Sequence, residues 1–268
     1  MSRVATLTNP GNRPGANEDA VGSVGEDGPW FVADGAGGYA GGRLASEIVA
    51  KTILELGGRG ELEAVVFRAH EAIVEYSRAH PECAEMRSTV VAGQITGGYC
   101  HVVWVGDSRA YLWRRQRLRR LTRDHSYVEE LREQQHLSAT QVREHPNRNL
   151  VTRMLGFETP VPSVVDERMR RGDWIILCSD GLNGELTDNE IGGILEVSSA
   201  PDAAARALIE AAVLHGGRDN VSVVVVDYGD RGTTSRWWPD SRAALLSILG
   251  GIALVLAVCV WWYWKRLR

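Results

Sequence analysis

The sequence predicts an α+β fold: antiparallel sheets with helices packed outside them, followed by one membrane-crossing helix. Three observations point there. Short strand-like apolar runs arrive in clusters, not in regular alternation with helices, which favours antiparallel pairing over a parallel sheet. Between the clusters lie segments whose apolar residues recur at helical spacing. Near the end of the chain, Ala243 to Trp264 is a stretch of 22 residues without a charge.

The elements follow in order. Residues 1–33 read as two strands around a polar loop: ATLTN opens, GNRPGANEDAVGSVGEDG follows, and PWFVA is the second apolar run. A glycine-rich turn, DGAGGYAGG, leads into RLASEIVAKTILELG, which keeps helical spacing up to a Gly-Gly stop. Residues 61–80 repeat that pattern through Leu62, Val65, Val66, Ala69, Ile73 and Tyr76. Three strand-like runs come next: STVVAGQI, CHVVWVG and RAYLWR. Asp124 to Leu155 is polar and weakly periodic, with short helical stretches. DERMRRGDWIILCSDGL returns to strand and turn, residues 201–214 predict a helix, and NVSVVVVDY a buried strand. Residues 229–242 are polar, contain Gly and Pro, and read as a linker. The expected division is a domain over 1–228, the linker, a transmembrane helix over 243–264 and a basic tail over 265–268.

Composition narrows the classes. The chain has 268 residues, 44% hydrophobic and 24% charged, enough for one large domain with its own core and no disulfides. Net charge is −4 and no basic stripe stands out, so a nucleic-acid partner is not expected. The basic run Arg114 to Arg123 alternates with Leu118 and Leu121 and reads as a solvated hairpin edge. Cys83, Cys100, Cys178 and Cys259 have no metal-ligand spacing; Cys178 and Cys259 sit in apolar runs as small hydrophobes. The N-terminal MSRVATLTNPG lacks an apolar h-region, so no signal peptide is expected and the folded domain is placed in the cytosol.

Acidic residues recur at the ends of the apolar runs. Asp34 follows WFVA, Asp107 follows VVWVG, Asp180 follows WIILCS, and Asp219 precedes NVSVVVV. A carboxylate at a strand end points into whatever cleft the sheet edges form. Four of them converging would repel strongly unless cations sat between them. Hard oxygen ligands without histidine or thiolate select Mg²⁺ or Mn²⁺. A single Asp-Gly is ordinarily a plain turn; the weight lies in the recurrence, joined by Asn17-Glu18-Asp19 in a glycine-rich loop. No Ser-His-Asp set, nucleotide-binding loop or Cys-His pair competes. His125, next to Asp124, reads as a hydrogen-bonding residue and not as a base.

Seven blocks then stand in a telling order: NEDA (17–20), VADGAGGYAGGRLAS (32–46), VGDSRAYL (105–112), LTRDHS (121–126), HPNRNLVTRMLG (145–156), GDWIILCSDGL (172–182) and GGRDNVSVVVVDY (216–228). Their order resembles that of the protein phosphatase 2C family, in its bacterial branch, over about residues 5 to 228. The resemblance implies a four-layer αββα sandwich, with two antiparallel sheets flanked by helices. It implies a metal-dependent hydrolase for phosphoserine and phosphothreonine on proteins, using two Mn²⁺ or Mg²⁺ ions, a third weaker ion and an activated water. Carried over position by position, Asp34 bridges the two ions and the Gly35 carbonyl binds one. Asp180 and Asp219 bind the other, Asp107 helps hold the third, and Glu18 reaches the metals through water. Asp19 and Asn220 stand behind these ligands. Arg13 takes the phosphate.

Two departures from the family pattern bear on chemistry. Many relatives place a histidine in or just after the DG turn, where it protonates the leaving group; here Ala36 and Tyr39 occupy DGAGGY. A metal-held water then takes over, or turnover is slower. The phosphate-binding arginine usually stands four residues before the acidic position; here Pro14 does, and Arg13 lies one residue further out, so a bulge at Pro14-Gly15 must restore its reach. Tyr127 to Asn149 resembles the family's mobile flap.

At about 1.5 Å per residue the uncharged tail is roughly 33 Å long, enough for a hydrocarbon core of about 30 Å. Trp261, Trp262, Tyr263 and Trp264 supply an interfacial belt at one end, Trp237 and Trp238 precede the other, and Lys265, Arg266 and Arg268 close the chain. The expected location is the cell membrane, single-pass, with the catalytic domain on the cytoplasmic side, opposing a serine/threonine kinase. The competing readings are a catalytically weak phosphatase-like scaffold that binds a partner at the membrane, and an enzyme for a small phosphoester. Retention of Asp34, Asp180 and Asp219 favours an enzyme over the scaffold and leaves the small-phosphoester reading open.

Overall fold

The apolar runs of the sequence become strands covered on both faces. In β11 (Val221–Tyr228), Val221, Val223 and Val225 face one apolar cluster, while Val224 and Val226 face another. In β10 (Asp173–Cys178), Trp174, Ile176 and Cys178 face the first, and Ile175 and Leu177 the second. β3 (Trp30–Ala36) sends Trp30 and Val32 into that second cluster and Phe31 and Ala33 into a third. Side chains alternate along a strand, so a run apolar at every position needs a partner layer on each side.

The structure, a computed structural model, describes residues 3–37, 41–58, 60–135, 137–138, 141–142 and 145–229. One sheet runs β1 (Arg3–Asn9), β11, β10, β7 (Arg109–Arg114), β8 (Arg117–Arg120). The other runs β2 (Asp19–Ser23), β3, β5 (Val90–Thr96), β6 (Tyr99–Val105), β9 (Ser163–Arg168), with the short β4 (Arg87–Ser88) beside β3. Every pairing is antiparallel. Helices α1 (Gly41–Leu56) and α2 (Leu62–Ala79) cover the second sheet, setting Ala45, Val49, Ile53, Val66 and Ile73 against Phe31, Ala33 and Val90. α3 (Tyr127–Gln135) lies in the connection between β8 and β9. The first sheet is covered by α4 (Asp180–Glu185), α5 (Asp188–Val197) and α6 (Pro201–Leu214), through Leu182, Ile191, Leu195, Ala204 and Leu208 on Trp113, Trp174 and Ile176. Helices, sheet, sheet, helices: the two-sheet α+β expectation holds.

Several elements differ from the sequence reading, among them α4, a short helix that begins in the expected turn. β2 sits inside what reads as a polar loop. It is half-buried throughout, so it shows no apolar alternation, and its Gly22 lies under the Phe31 ring, where a Cβ would come within 2.7 Å. α5 is an added helix; its capping box, in which Thr187 and Glu190 satisfy each other's backbone N–H groups, was visible as T-x-x-E. The basic run behaves as expected: β7 and β8 form a hairpin whose turn residues Arg115 and Gln116 have φ of 51° and 60°, the primed-turn geometry of tight hairpins. The expected linker after Gly229, the transmembrane helix and Tyr39 lie outside the described residues. Among the described residues no helix is long and apolar enough to cross a membrane.

Candidate metal centre and active site

Strand parity places the acids. Asp34 shares the face of Trp30 and Val32 and so points into the space between the sheets, at the end of β3. Asp19 is its direct cross-strand partner. Across the gap, the first sheet answers with hydroxyls. Thr8, Ser222 and Ser179 form a row at the same end: Thr8 and Ser222 are register partners with their hydroxyls 2.8 Å apart, and the Ser222 N–H donates to Ser179 Oγ at 3.0 Å. Ser179 Oγ then donates to Asp19 Oδ2 at 2.8 Å. Ser108, just before β7 in the same sheet, places its hydroxyl 2.8 Å from that of Thr89, which accepts from the Asp34 N–H. The apolar core stops here and a polar seam closes it.

Asp180 and Asp219 enter from the ends of two paired strands. Asp180 opens α4 directly after β10, and Asp219 stands just before β11. The two chain segments touch closely: a Cβ on Gly181 would sit 2.0 Å from the Asn220 carbonyl oxygen. Asp107 occupies the corner where the chain leaves β6 in one sheet for β7 in the other. Gly106, with φ of 111°, makes that corner, and a Cβ there would meet Thr89 at 2.6 Å.

The carboxyls disturb one another. Burial first, then repulsion from Asp19, Asp180 and Asp107, holds Asp34 well above the usual carboxylate range. Burial and then Asp180 and Asp124 do the same to Asp107. Asp180 is raised by burial and by Asp219, although a hydrogen bond with Asp34 works the other way. Asp19 is pushed up to about 7, burial outweighing its bonds to Ser222 and Ser179. Such a set of hard oxygens is completed by cations. Among the described residues, however, no three Asp, Glu, His or Cys side chains close around one point as a finished cage. The carboxyls stand as coupled neighbours around Asp34, which feels Asp19, Asp180, Asp107 and Asp219 together. That arrangement suits ions that take one or two carboxylates each and fill the remaining positions with water and backbone carbonyls.

Gly35, at the end of β3, stands where the chain is most crowded. A Cβ on Gly35 would lie 1.9 Å from the Gly42 oxygen and 2.8 Å from the Glu18 oxygen. One on Gly42 would lie 2.8 Å from the Gly35 oxygen and 2.9 Å from Glu18 Oε1. The pair of glycines lets the start of α1 press against β3 and leaves the Gly35 carbonyl near the Glu18 carboxylate. Asn220 fixes the Glu18 loop: its Oδ1 accepts from the Glu18 N–H at 2.8 Å, and its Nδ2 donates to the Pro10 oxygen at 3.0 Å.

Arg13 reaches the cluster despite its offset. Its Nη1 donates to Asp219 Oδ1 at 2.7 Å and its Nη2 lies 3.7 Å from Glu18 Oε2. The loop bends through Gly11 and Gly15, with φ of 69° and 134°. Ala36 ends β3 opposite Arg87. His125 is structural, as its context suggested. Its Nδ1 accepts from the Gly106 N–H at 3.1 Å, its Nε2 lies 2.9 Å from Ser163 Oγ, and it stacks on Trp104. Burial, aided by Arg153, pulls its pKa down to about 4, so the ring is neutral.

Sequence reasoning missed a buried ion pair. Arg109 grips Asp124 with Nε at 3.0 Å from Oδ1 and Nη2 at 2.6 Å from Oδ2, beside Asp107. Both belong to quoted blocks, GDSR and RDHS, yet nothing in their spacing says that they meet. With Asp107 and Asp180 they line a cleft of about 670 Å³ under α3, bordered by Arg120, Arg132 and Arg148.

Comparison with known proteins agrees with this geometry. The protein phosphatase 2C family pattern matches residues 14–210. The chain is 34% identical over 206 residues to the serine/threonine protein phosphatase PstP of Mycobacterium tuberculosis, covering 74% of this chain and 40% of that protein. It is thus matched to well under half the length of that relative. It is 31% identical over 211 residues to the serine/threonine phosphatase stp of Listeria monocytogenes, covering 74% of this chain and 83% of the other. The crystal structure of the M. tuberculosis PstP/Ppp phosphatase superposes with a TM-score of 0.79 at 32% identity, over 85% of this chain and 99% of that one. The PstP catalytic domain in complex with two manganese ions gives 0.77 at 31% identity, over 85% and 99%. The chain belongs to the protein phosphatase 2C family.

Proposed function

We propose that this chain is a metal-dependent protein phosphatase that hydrolyses phosphoserine and phosphothreonine on other proteins. The observation that carries the reading is the acid row at the sheet seam: Asp34 and Asp19 side by side, Asp180 hydrogen-bonded to Asp34, Asp107 at the corner, and Arg13 reaching in on Asp219. Relatives named as serine/threonine phosphatases, one of them holding two manganese ions, support it. We assign two Mn²⁺ or Mg²⁺ ions to this set: Asp34 would be shared by both, the Gly35 carbonyl would serve one, Asp180 and Asp219 the other, Asp107 a weaker third, and Glu18 would act through water. When bound, such ions activate water and neutralise phosphoryl oxygens.

The chain's own groups do the rest. Arg13 offers a planar fork that suits a phosphate, and it turns to the substrate when Asp219 is otherwise engaged. Asn220 holds the Glu18 loop, and Ser179 holds Asp19 behind Asp34. Cys178 is no nucleophile: burial pushes its thiol up to about 12. That leaves hydrolysis by water, without a phosphoenzyme, as the route these residues would serve.

The uncharged stretch 243–264 supports a single membrane-spanning anchor. We place the domain on the cytoplasmic side, where an ATP-using serine/threonine kinase makes its substrates. The decisive experiment is phosphate release from a phosphothreonine peptide by the detergent-solubilised chain, with and without Mn²⁺. Hydrolysis that persists after exhaustive chelation sinks the metal assignment. Membrane fractions washed with alkaline carbonate should retain the protein, and its release would remove the anchor.

A further inference from the structure

A second pocket, of about 520 Å³, opens between the Arg13 loop and the first turns of α1. Arg13 and Glu18 form the wall it shares with the metal centre. Its other surfaces are mainly small or apolar: Ala16 from the loop, Leu44 from α1 and Cys83 from the turn after α2. The charges at its rim are already answered. Arg43 Nε donates to Glu47 Oε1 at 2.8 Å, one turn along the same helix, and Arg13 is held by Asp219 and Glu18. What remains to fill is apolar volume.

Its position says what fills it. On the phosphatase reading, on which this inference rests, Arg13 takes the phosphate, so the pocket begins where the phosphorylated side chain ends. An extended peptide advances about 3.3 Å per residue, so the residues within two of the phosphorylated one are those that reach it. We propose that this pocket is a specificity subsite that takes an aliphatic side chain, within two residues of the phosphoserine or phosphothreonine, from the substrate protein. A buried charge there would lose its water without gaining a free partner, so acidic neighbours are disfavoured.

The test uses the full chain in detergent with Mn²⁺ and phosphothreonine peptides carrying Leu, Gly or Asp on either side of the phosphoresidue. On one side, Leu is expected to raise kcat/KM over Gly by about 10-fold or more, the discrimination a hydrophobic pocket typically gives, with Asp lowest. Leu44→Gln and, separately, Cys83→Trp are expected to erase that ratio. Their rates are normalised to hydrolysis of p-nitrophenyl phosphate, a small ester with no neighbouring residue. Both side chains also touch the core under α1 and α2, so melting temperatures are compared; a variant that unfolds is replaced by Ala16→Phe. The proposal is overturned if wild type treats the three peptides within twofold, or if well-folded variants keep the preference. If wild type hydrolyses neither peptide nor small ester, the phosphatase reading fails first and the subsite goes with it.

Discussion

Metal-free protein should grow less stable as pH rises from about 4 to about 7, and Mn²⁺ should abolish most of that slope. Asp19 is pushed up to about 7, whereas an aspartate in the unfolded chain titrates near 3.9. Between those values the folded protein binds a proton that the unfolded chain does not. Stability therefore falls with rising pH across the window, is fully penalised above it, and is unaffected below it. At about 1.4 kcal/mol per tenfold, Asp19 alone accounts for up to ~4 kcal/mol. Asp34, Asp107 and Asp180 act in the same direction. Cations replace the missing protons: binding at a hundredfold excess over Kd returns about 2.7 kcal/mol per site. The assay is urea unfolding in chelator at about pH 5.5 and about pH 8, repeated with Mn²⁺. Asp19→Asn keeps an oxygen that accepts from Ser179 and removes the charge, so the metal-free variant should exceed wild type at the higher pH by roughly 1–3 kcal/mol. Equal stability of metal-free wild type at both pH values, with no gain from Asp19→Asn, would refute the argument that burial and repulsion strain this cluster.

Other perturbations follow from the same geometry. Asp180→Asn and Asp219→Asn should each remove nearly all Mn²⁺-dependent phosphate release while circular dichroism stays native; wild-type turnover in either would remove that residue from the site. Gly35→Ala drives a Cβ to 1.9 Å from the Gly42 oxygen, so unfolding should show a loss of roughly 3 kcal/mol, the upper end for overpacking, and calorimetry a weaker Mn²⁺ affinity. Gly193→Ala, in the exposed middle of α5 with nothing within 4 Å of the new methyl, should instead stabilise by about 0.5–1 kcal/mol. Thr187→Ala removes the cap of α5 and should cost about 1 kcal/mol with no change in metal affinity.

Much of this was legible in the chain. Apolar runs such as VSVVVV and WIILC announced buried strands, and acids at their ends announced a cleft. What could not be read were relations across long separations. Arg109 and Asp124 stand 15 residues apart with no spacing rule to join them, and their contact depends on β7 and β8 returning on each other. β2 was hidden because a half-buried edge next to the acids needs Asp19 and Gly22 where an ordinary strand would alternate. Arg13 shows the reverse case. A register argument from family spacing put its reach in question; the loop bends at two glycines with positive φ, and Arg13 lies against Asp219 and Glu18.

The hydroxyls explain how the seam is tolerated. Ser222 interrupts a run of valines, and parity puts it on the face of Val224 and Val226, inside the sandwich. A valine there would fill the same layer, but the Thr8 hydroxyl would lose its partner and Asp19 one of its two hydroxyl donors. Asp19 would then face a methyl group on one side in place of a hydroxyl. Hydroxyls are small enough to replace a methyl without opening a void, and they donate without bringing a charge that would compete with a metal ion. The gap between the sheets thus passes from Val and Ile through Ser and Thr to Asp within a few residues. An ordinary core grades into a row of buried carboxylates, and the same strands that supply the folding energy hold those acids in position.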